Sequence, residues 1–105
     1  MRLVIIESPY AGDVDENIKY AIECMRDSLF RDEAPLASHL LYTQALDDKV
    51  PEERHLGIQA GLEWGLKADL TVVYADLGIS EGMQQGMRRA SNESRTIEVR
   101  YIRRG

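Results

Sequence analysis

Two short runs of the chain are apolar without interruption, and they constrain the fold more than any other feature. Leu3 to Ile6 and Leu70 to Ala75 are rich in β-branched residues and lack the alternation of a half-exposed strand. Such runs are typical of parallel strands that helices cover on both faces. The pattern therefore predicts an α/β fold with buried strands at its centre.

Three segments between the strands carry the start signals of helices. The first begins after an N-cap at Asp13, the second at Pro51 and the third after an N-cap at Ser80. A short strand is predicted at Pro35 to Ala37, and an alternating strand at Thr96 to Tyr101 suits a place near an edge. The order β-α-β-α-β-α-β predicts a flavodoxin-like or Rossmann-like three-layer α/β/α fold with a mainly parallel sheet of four or five strands.

Length and charge limit the partners that a chain of this kind can have. The 105 residues are expected to form one domain, and a core this small favours association into a homo-oligomer. The formal net charge of -5 opposes binding of a nucleic acid polymer, which requires a basic surface. The one basic cluster, Arg100 to Arg104, is interpreted as a solvated strand end.

Other features bear on the compartment and on metals. Cys24 is the only cysteine, which excludes an internal disulfide and a cysteine metal site. His39 and His55 are too isolated in the sequence to indicate a metal site. No run approaches the roughly 18 apolar residues of a membrane span, and the first apolar run is too short for a signal peptide. We therefore expect a cytoplasmic protein with no metal, no cofactor and no membrane partner.

The loops that follow the two buried strands are the first candidates for a ligand site. Ligands of open parallel sheets bind beyond the carboxyl ends of the strands. Residues 7–13 and 76–82 follow these strands, and each loop leads into a helix N-terminus with free backbone N–H groups. This geometry suits a phosphate, a carboxylate or a sugar hydroxyl. The alternative is that Gly12, Gly78 and Gly82 only make tight turns.

Gly86 is the most informative single residue. It lies about one and a half turns into the third helix, where glycine costs roughly 1 kcal/mol relative to alanine. Gly82, Gly86 and Ala90 share one face of that helix. A strip without side chains permits close backbone packing, or it leaves volume for a ligand.

Two further segments yield expectations about individual side chains. Residues 39–50 are predicted to form a long irregular loop, in which His39 is a candidate ligand contact. Trp64 is interpreted as a packing residue on the second helix, and Met83 and Met87 as core residues.

Several short motifs occur in order along nearly the whole chain. They are Ser8-Pro9-Tyr10-Ala11-Gly12-Asp13, Asn17-Ile18, Pro35 to Gln44, Pro51-Glu52-Glu53-Arg54 with Gly57, Asp69, and Ser80-Glu81-Gly82-Met83. Together they resemble the small nucleoside 2-deoxyribosyltransferase-like proteins, especially the short members often encoded by bacteriophages. The resemblance implies a flavodoxin-like domain that binds a nucleoside or nucleotide at the carboxyl edge of the sheet, with no metal involved.

The loop geometry and the resemblance together select ten candidate ligand-binding residues. They are Ser8, Tyr10, Gly12, Asp13, His39, Asp76, Ser80, Gly82, Met83 and Gly86. Enzymes of the family cleave the N-glycosidic bond of a deoxynucleoside with a glutamate on the third helix, and Gly86 stands at the position of that nucleophile. The expectation is therefore binding without turnover. Two alternatives remain open: an active N-glycosidase or deoxyribosyltransferase that uses another carboxylate such as Glu81, and a non-catalytic protein-interaction module.

Overall fold

Four parallel strands form a single sheet in the computed structural model, which describes residues 1–103. The strands are β1 (Arg2–Glu7), β2 (Glu33–Leu36), β3 (Leu70–Tyr74) and β4 (Thr96–Arg100). They lie in the order β2-β1-β3-β4 across the sheet. The predicted α/β class with a flavodoxin-like or Rossmann-like arrangement is confirmed, with four strands.

The helices connecting these strands are α1 (Val14–Phe30), α2 (Ser38–Leu41), α3 (Pro51–Gly65) and α4 (Glu81–Asn92). All three predicted helix starts are confirmed. Asp13 accepts a hydrogen bond from the backbone N–H of Glu16, Pro51 is the first residue of α3, and Ser80 accepts from the N–H of Met83. Within residues 1–103, no helix is both long enough and apolar enough to cross a membrane.

The connection between β2 and α3 differs from the prediction of a long irregular loop. Its first part folds into α2 and a 3-10 turn at Tyr42–Gln44. The Thr43 hydroxyl donates to the backbone carbonyl of His39 at 2.7 Å, which satisfies a carbonyl group at this helical turn. Strand β2 begins two residues earlier than predicted, and its Pro35 is tolerated because β2 is an edge strand.

Side chains alternate between two differently covered faces of the sheet. Val4, Ile6 and Val72 point to the face on which α1 packs, where they form the main core with Tyr20 and Cys24. Residues at the alternate positions of β1 face α3 and α4 instead. The layers therefore lie as α1, sheet, then α3 and α4, and the second interface is the one that contains the candidate site.

Trp64 corrects the expectation of a packing role. Its side chain is 53% exposed, and the indole Nε1–H donates to the Tyr42 hydroxyl at 2.6 Å. The positions of α3 that approach its neighbours are glycines: a Cβ at Gly61 would lie 2.8 Å from the Cβ of Ser38, and one at Gly65 would lie 2.9 Å from Arg95. Small residues form the contact face of α3, so its large aromatic residue lies outside that face.

Strand β4 corrects the interpretation of the basic cluster. Arg100 is 6% exposed, whereas Val99 beside it is 47% exposed. Both terminal nitrogens of Arg100 donate to the carboxylate of Glu33 at 2.8 Å, and one also donates to the Tyr74 hydroxyl at 3.1 Å. These bonds from Arg100 lower the pKa of Glu33 to about 2, although burial opposes them. The paired charge is buried because its hydrogen-bonding capacity is satisfied.

The residues after β4 are tied back to α1. Arg103 donates to Glu23 at 2.9 Å and to Glu16 at 3.0 Å on the exposed side of that helix. The remaining arginine of the predicted cluster, Arg104, lies outside the described residues.

Candidate functional site

A pocket of about 260 Å³ opens at the carboxyl edge of the sheet, beside the start of α4. Ile5 and Glu7 of β1 form part of its lining together with residues of α3 and α4. The strands β1 and β3 are neighbours, but their connections lead to β2 on one side and to β4 on the other. Such a reversal opens a crevice between the two loops, and this is where open α/β sheets bind ligands. The volume is close to the lower end of the range of about 300–1,000 Å³ for small-molecule sites.

Seven of the ten candidate residues line this pocket: Ser8, Tyr10, His39, Ser80, Gly82, Met83 and Gly86. Tyr10 and Ala11 are held in place by Asn17 of α1, whose side-chain amide donates to their backbone carbonyls at 2.9 and 3.0 Å. Glu81 lines the pocket too, but its side chain is 73% exposed and lies 3.6 Å from Arg88.

The other three candidates lie outside the pocket, and each has a structural role. Gly12 adopts a φ of 98° in an exposed turn, and Asp13 caps α1. The carboxylate of Asp76 accepts from the Tyr20 hydroxyl at 2.5 Å and from the backbone N–H groups of Ile102 and Arg103. Burial opposes the ionisation of Asp76, but these hydrogen bonds lower its pKa. Its oxygen atoms hold the chain after β4 and are not directed to a ligand.

Glu7 is the carboxylate that sequence reasoning missed. It is the last residue of β1, and it packs against Gly86 of α4. A Cβ at position 86 would lie 2.5 Å from the Cδ and 2.9 Å from the Oε1 of Glu7, well inside van der Waals contact. The glycine strip of α4 therefore makes room for the carboxyl group of Glu7, which a larger residue at position 86 would exclude.

The electrostatic setting of Glu7 is unusual for a carboxylate. Burial raises its pKa to about 8, and the positive charge of Arg95 offsets this only in part. Arg95 itself forms an ion pair with Glu93 at 2.7 Å and donates a hydrogen bond to the Thr71 hydroxyl at 3.2 Å. Across residues 1–103, neither a hydrogen bond nor an ion pair reaches the Glu7 carboxyl group. At neutral pH this group is mainly protonated, so it can donate as well as accept a hydrogen bond.

Ser8 and His39 form a second polar pair in the pocket wall. Their Oγ and Nε2 atoms are 2.7 Å apart, and burial lowers the pKa of His39 to about 4. A serine–histidine pair can catalyse acyl transfer when a third group orients the base and when the base has a pKa near the working pH. In the described part of the chain no carboxylate bonds to the His39 ring, and its pKa lies far below neutrality. The pair is therefore suited to hydrogen bonding with a ligand and poorly suited to proton abstraction.

The charged lining is mostly acidic. Besides Glu7 it includes Asp48, Glu53 and Glu81, while Arg54 is the basic residue among the described lining residues. Arg54 lies 3.8 Å from Asp48. The apolar part of the lining comes mainly from Ile58, Leu62 and Met83.

The described residues offer no ready metal site. Within residues 1–103, no three histidine, cysteine, aspartate or glutamate side chains lie close enough together to hold a metal ion. The pocket combines an apolar wall, the polar pair of Ser8 and His39, and the unpaired carboxyl group of Glu7.

Comparison with known families connects this geometry to a group of related sequences. The family model described as Domain of unknown function (DUF7768) matches residues 2–102. The chain belongs to this family. The DUF7768 match spans all four strands, all four helices and the entire pocket lining, so the pocket is part of the DUF7768 domain itself. No curated protein and no solved structure matches the chain.

Proposed function

We propose that this DUF7768 protein binds a nucleoside or nucleotide in the pocket between β1, α3 and α4. The observation that carries the proposal is the combination of an apolar wall with an unpaired carboxyl group at the ligand-binding edge of an open α/β sheet. A heterocyclic base presents an apolar face and several hydrogen-bonding atoms, and a sugar presents hydroxyl groups. Ile58, Leu62 and Met83 suit the face of a base, while Ser8 and His39 suit polar atoms.

The resemblance to the nucleoside 2-deoxyribosyltransferase-like proteins supports the same ligand class. The motifs that carry it, Ser8 to Asp13 and Ser80 to Met83, flank the pocket from two sides. The helix N-terminus at Ser80 adds a positive dipole end near the opening.

Isothermal titration calorimetry with the four common deoxynucleosides and their 5′-monophosphates tests the proposal. We expect saturable binding of at least one compound with one site per chain. The variant Ile58→Phe fills the pocket and should abolish this binding. Leu56→Phe on the same helix is the matched control, because Leu56 is 60% exposed and does not line the pocket. Absence of saturable binding by all eight compounds would refute the proposal.

A second candidate function is cleavage or transfer of an N-glycosidic bond, with Glu7 as the carboxylate. It is favoured by one observation: the Glu7 carboxyl group occupies the volume beside Gly86, the position at which the resemblance expects a catalytic glutamate. An oxygen of the ionised Glu7 carboxylate would bond to the anomeric carbon while the bond to the base breaks, and the leaving base would take a proton from water in the pocket. Water or a second base would then displace the carboxylate from the sugar.

Release of free base from deoxynucleosides, followed by chromatography, tests this second candidate. Because burial raises the pKa of Glu7 to about 8, the rate should increase with pH up to that value as the carboxylate ionises. Glu7→Gln should abolish release. If Glu81→Gln abolishes it and Glu7→Gln does not, the catalytic role belongs to Glu81.

A further inference from the structure

Four carboxylates line the pocket, and three of them already have protein partners. Asp48 lies 3.8 Å from Arg54, Glu53 accepts a hydrogen bond from the backbone N–H of Asp47 at 3.0 Å, and Glu81 lies 3.6 Å from Arg88. The side chain of Glu7 alone among these four has no hydrogen bond or ion pair to a described residue. A carboxyl group that lines a pocket without a protein partner is available to a ligand, so the unpaired Glu7 side chain indicates a partner supplied by a ligand.

The position of Glu7 depends on its contact with α4. Glu7 lies at the end of β1 against Gly86, and its side chain forms part of the pocket lining. The room for this carboxyl group depends on a glycine inside a helix, where glycine is otherwise unfavourable.

The charge of the lining indicates the chemistry of the ligand. Phosphate groups carry between about one and a half and two negative charges at neutral pH. Such a group in the pocket would meet a lining that includes three further carboxylates, and the guanidinium groups of Arg54 and Arg95 are engaged with Asp48 and Glu93. The positive end of the α4 dipole is itself opposed by Glu81 in the first turn of that helix. An amino or hydroxyl donor has no such conflict.

We propose that Glu7 is the specificity-determining residue of the pocket and that it recognises a neutral or cationic hydrogen-bond donor, so that ligands without a phosphate are preferred. This inference rests on the proposed function, because it concerns ligands of the same pocket. It assigns the part of the ligand that contacts Glu7 to an amino or hydroxyl group.

Affinities of the same eight compounds, measured by calorimetry at pH 7 and moderate ionic strength, test the inference. We expect each deoxynucleoside that binds to do so at least tenfold more tightly than its 5′-monophosphate. Glu7→Ala should weaken the binding of the deoxynucleoside at least tenfold. The matched control is Glu52→Ala, which truncates a glutamate in the same way but lies on the exposed start of α3, outside the pocket lining. It should leave the affinity unchanged.

The outcomes separate this inference from the proposed function. If the monophosphates bind as tightly as the deoxynucleosides or more tightly, the preference is refuted while the ligand class stands. If Glu7→Ala folds, as shown by its thermal unfolding curve, and binds with unchanged affinity, Glu7 is not the recognition residue. If Glu7→Ala does not fold, Glu7→Met, which keeps the length of the side chain without its oxygen atoms, replaces it in the same comparison, and unchanged discrimination between the two compound classes refutes the inference. If no compound binds, the proposed function fails and the inference fails with it.

Discussion

Replacing Glu7 by glutamine should stabilise the protein at neutral pH, although it removes a residue that we place in the binding pocket. The pKa of Glu7 is raised from an ordinary 4.5 to about 8 by burial. Below pH 4.5 the group is neutral in both the folded and the unfolded chain, and it then has no effect on the pH dependence of stability. Between pH 4.5 and 8 the unfolded chain loses the proton while the folded chain retains it. The free energy of unfolding therefore falls as the pH rises through this range.

The magnitude follows from the width of this range. From pH 4.5 to pH 7 the interval is two and a half pH units, and each unit is worth about 1.4 kcal/mol, so the cost to the folded state at pH 7 is at most about 3.5 kcal/mol. Glutamine has the shape of the protonated acid and does not titrate. Glu7→Gln should therefore exceed the natural chain in stability by up to that amount at pH 7, and the difference should vanish towards pH 4.5.

Urea unfolding of both chains at pH 5, 6, 7 and 8 measures the difference directly. Glu63→Gln on the exposed side of α3 is a suitable control, since it should change the free energy of unfolding by less than about 0.5 kcal/mol at each pH. A Glu7→Gln chain that is less stable than the natural one at pH 7, or a difference that does not depend on pH, would refute the argument. The first result would mean that the folded protein holds Glu7 as a stabilised carboxylate, and the second would mean that Glu7 has the same pKa in the folded and the unfolded chain.

Three further predictions concern other contacts. Gly86→Ala should destabilise the protein by about 1–3 kcal/mol because its Cβ overlaps the Glu7 carboxyl group, and the double variant with Glu7→Ala should recover much of this loss; simple additivity in urea unfolding would contradict the contact. Glu33→Gln should cost about 3–5 kcal/mol by leaving Arg100 buried without its counter-charge, and the natural chain should lose this contribution as the pH falls from 4.5 towards 2; an unchanged acid-unfolding curve would contradict the pairing. Asn17→Ala should lower the free energy of ligand binding more than the free energy of unfolding, because it frees the loop that carries Tyr10. Calorimetry measures the first quantity and a thermal melt the second, and a larger loss in the free energy of unfolding would contradict the prediction.

The elements that could be predicted are those whose signals are local. The uninterrupted apolar runs identified β1 and β3, and Asp13, Pro51 and Ser80 identified the helix starts within a few residues of sequence. The buried role of Arg100 could not be predicted in this way. Its partner Glu33 is 67 residues away in the chain. The sequence pattern of an alternating strand end is the same whether its charged side chain is solvated or paired with a buried partner.

Glu7 was hidden for a related reason. It ends an apolar strand, so by position it belongs equally to the strand and to the loop, and its contact with Gly86 joins residues far apart in sequence. One signal was available, since a glycine in the middle of a helix implies a close neighbour. The same signal at Gly61 and Gly65 of α3 marks the close approaches to Ser38 and Arg95. It shows that something lies near the helix, but it does not identify the neighbour.

Because Glu7 and Gly86 are in contact, positions 7 and 86 cannot both carry a large side chain. One volume beneath the pocket accommodates a single acidic side chain, and either the strand or the helix can supply it. Among related sequences, we expect a long residue at the helix position to occur with a short one at the strand position, and the reverse. A transplant that places glutamate at position 86 and glycine at position 7 should consequently keep an acid in nearly the same place while moving its attachment from one secondary-structure element to another.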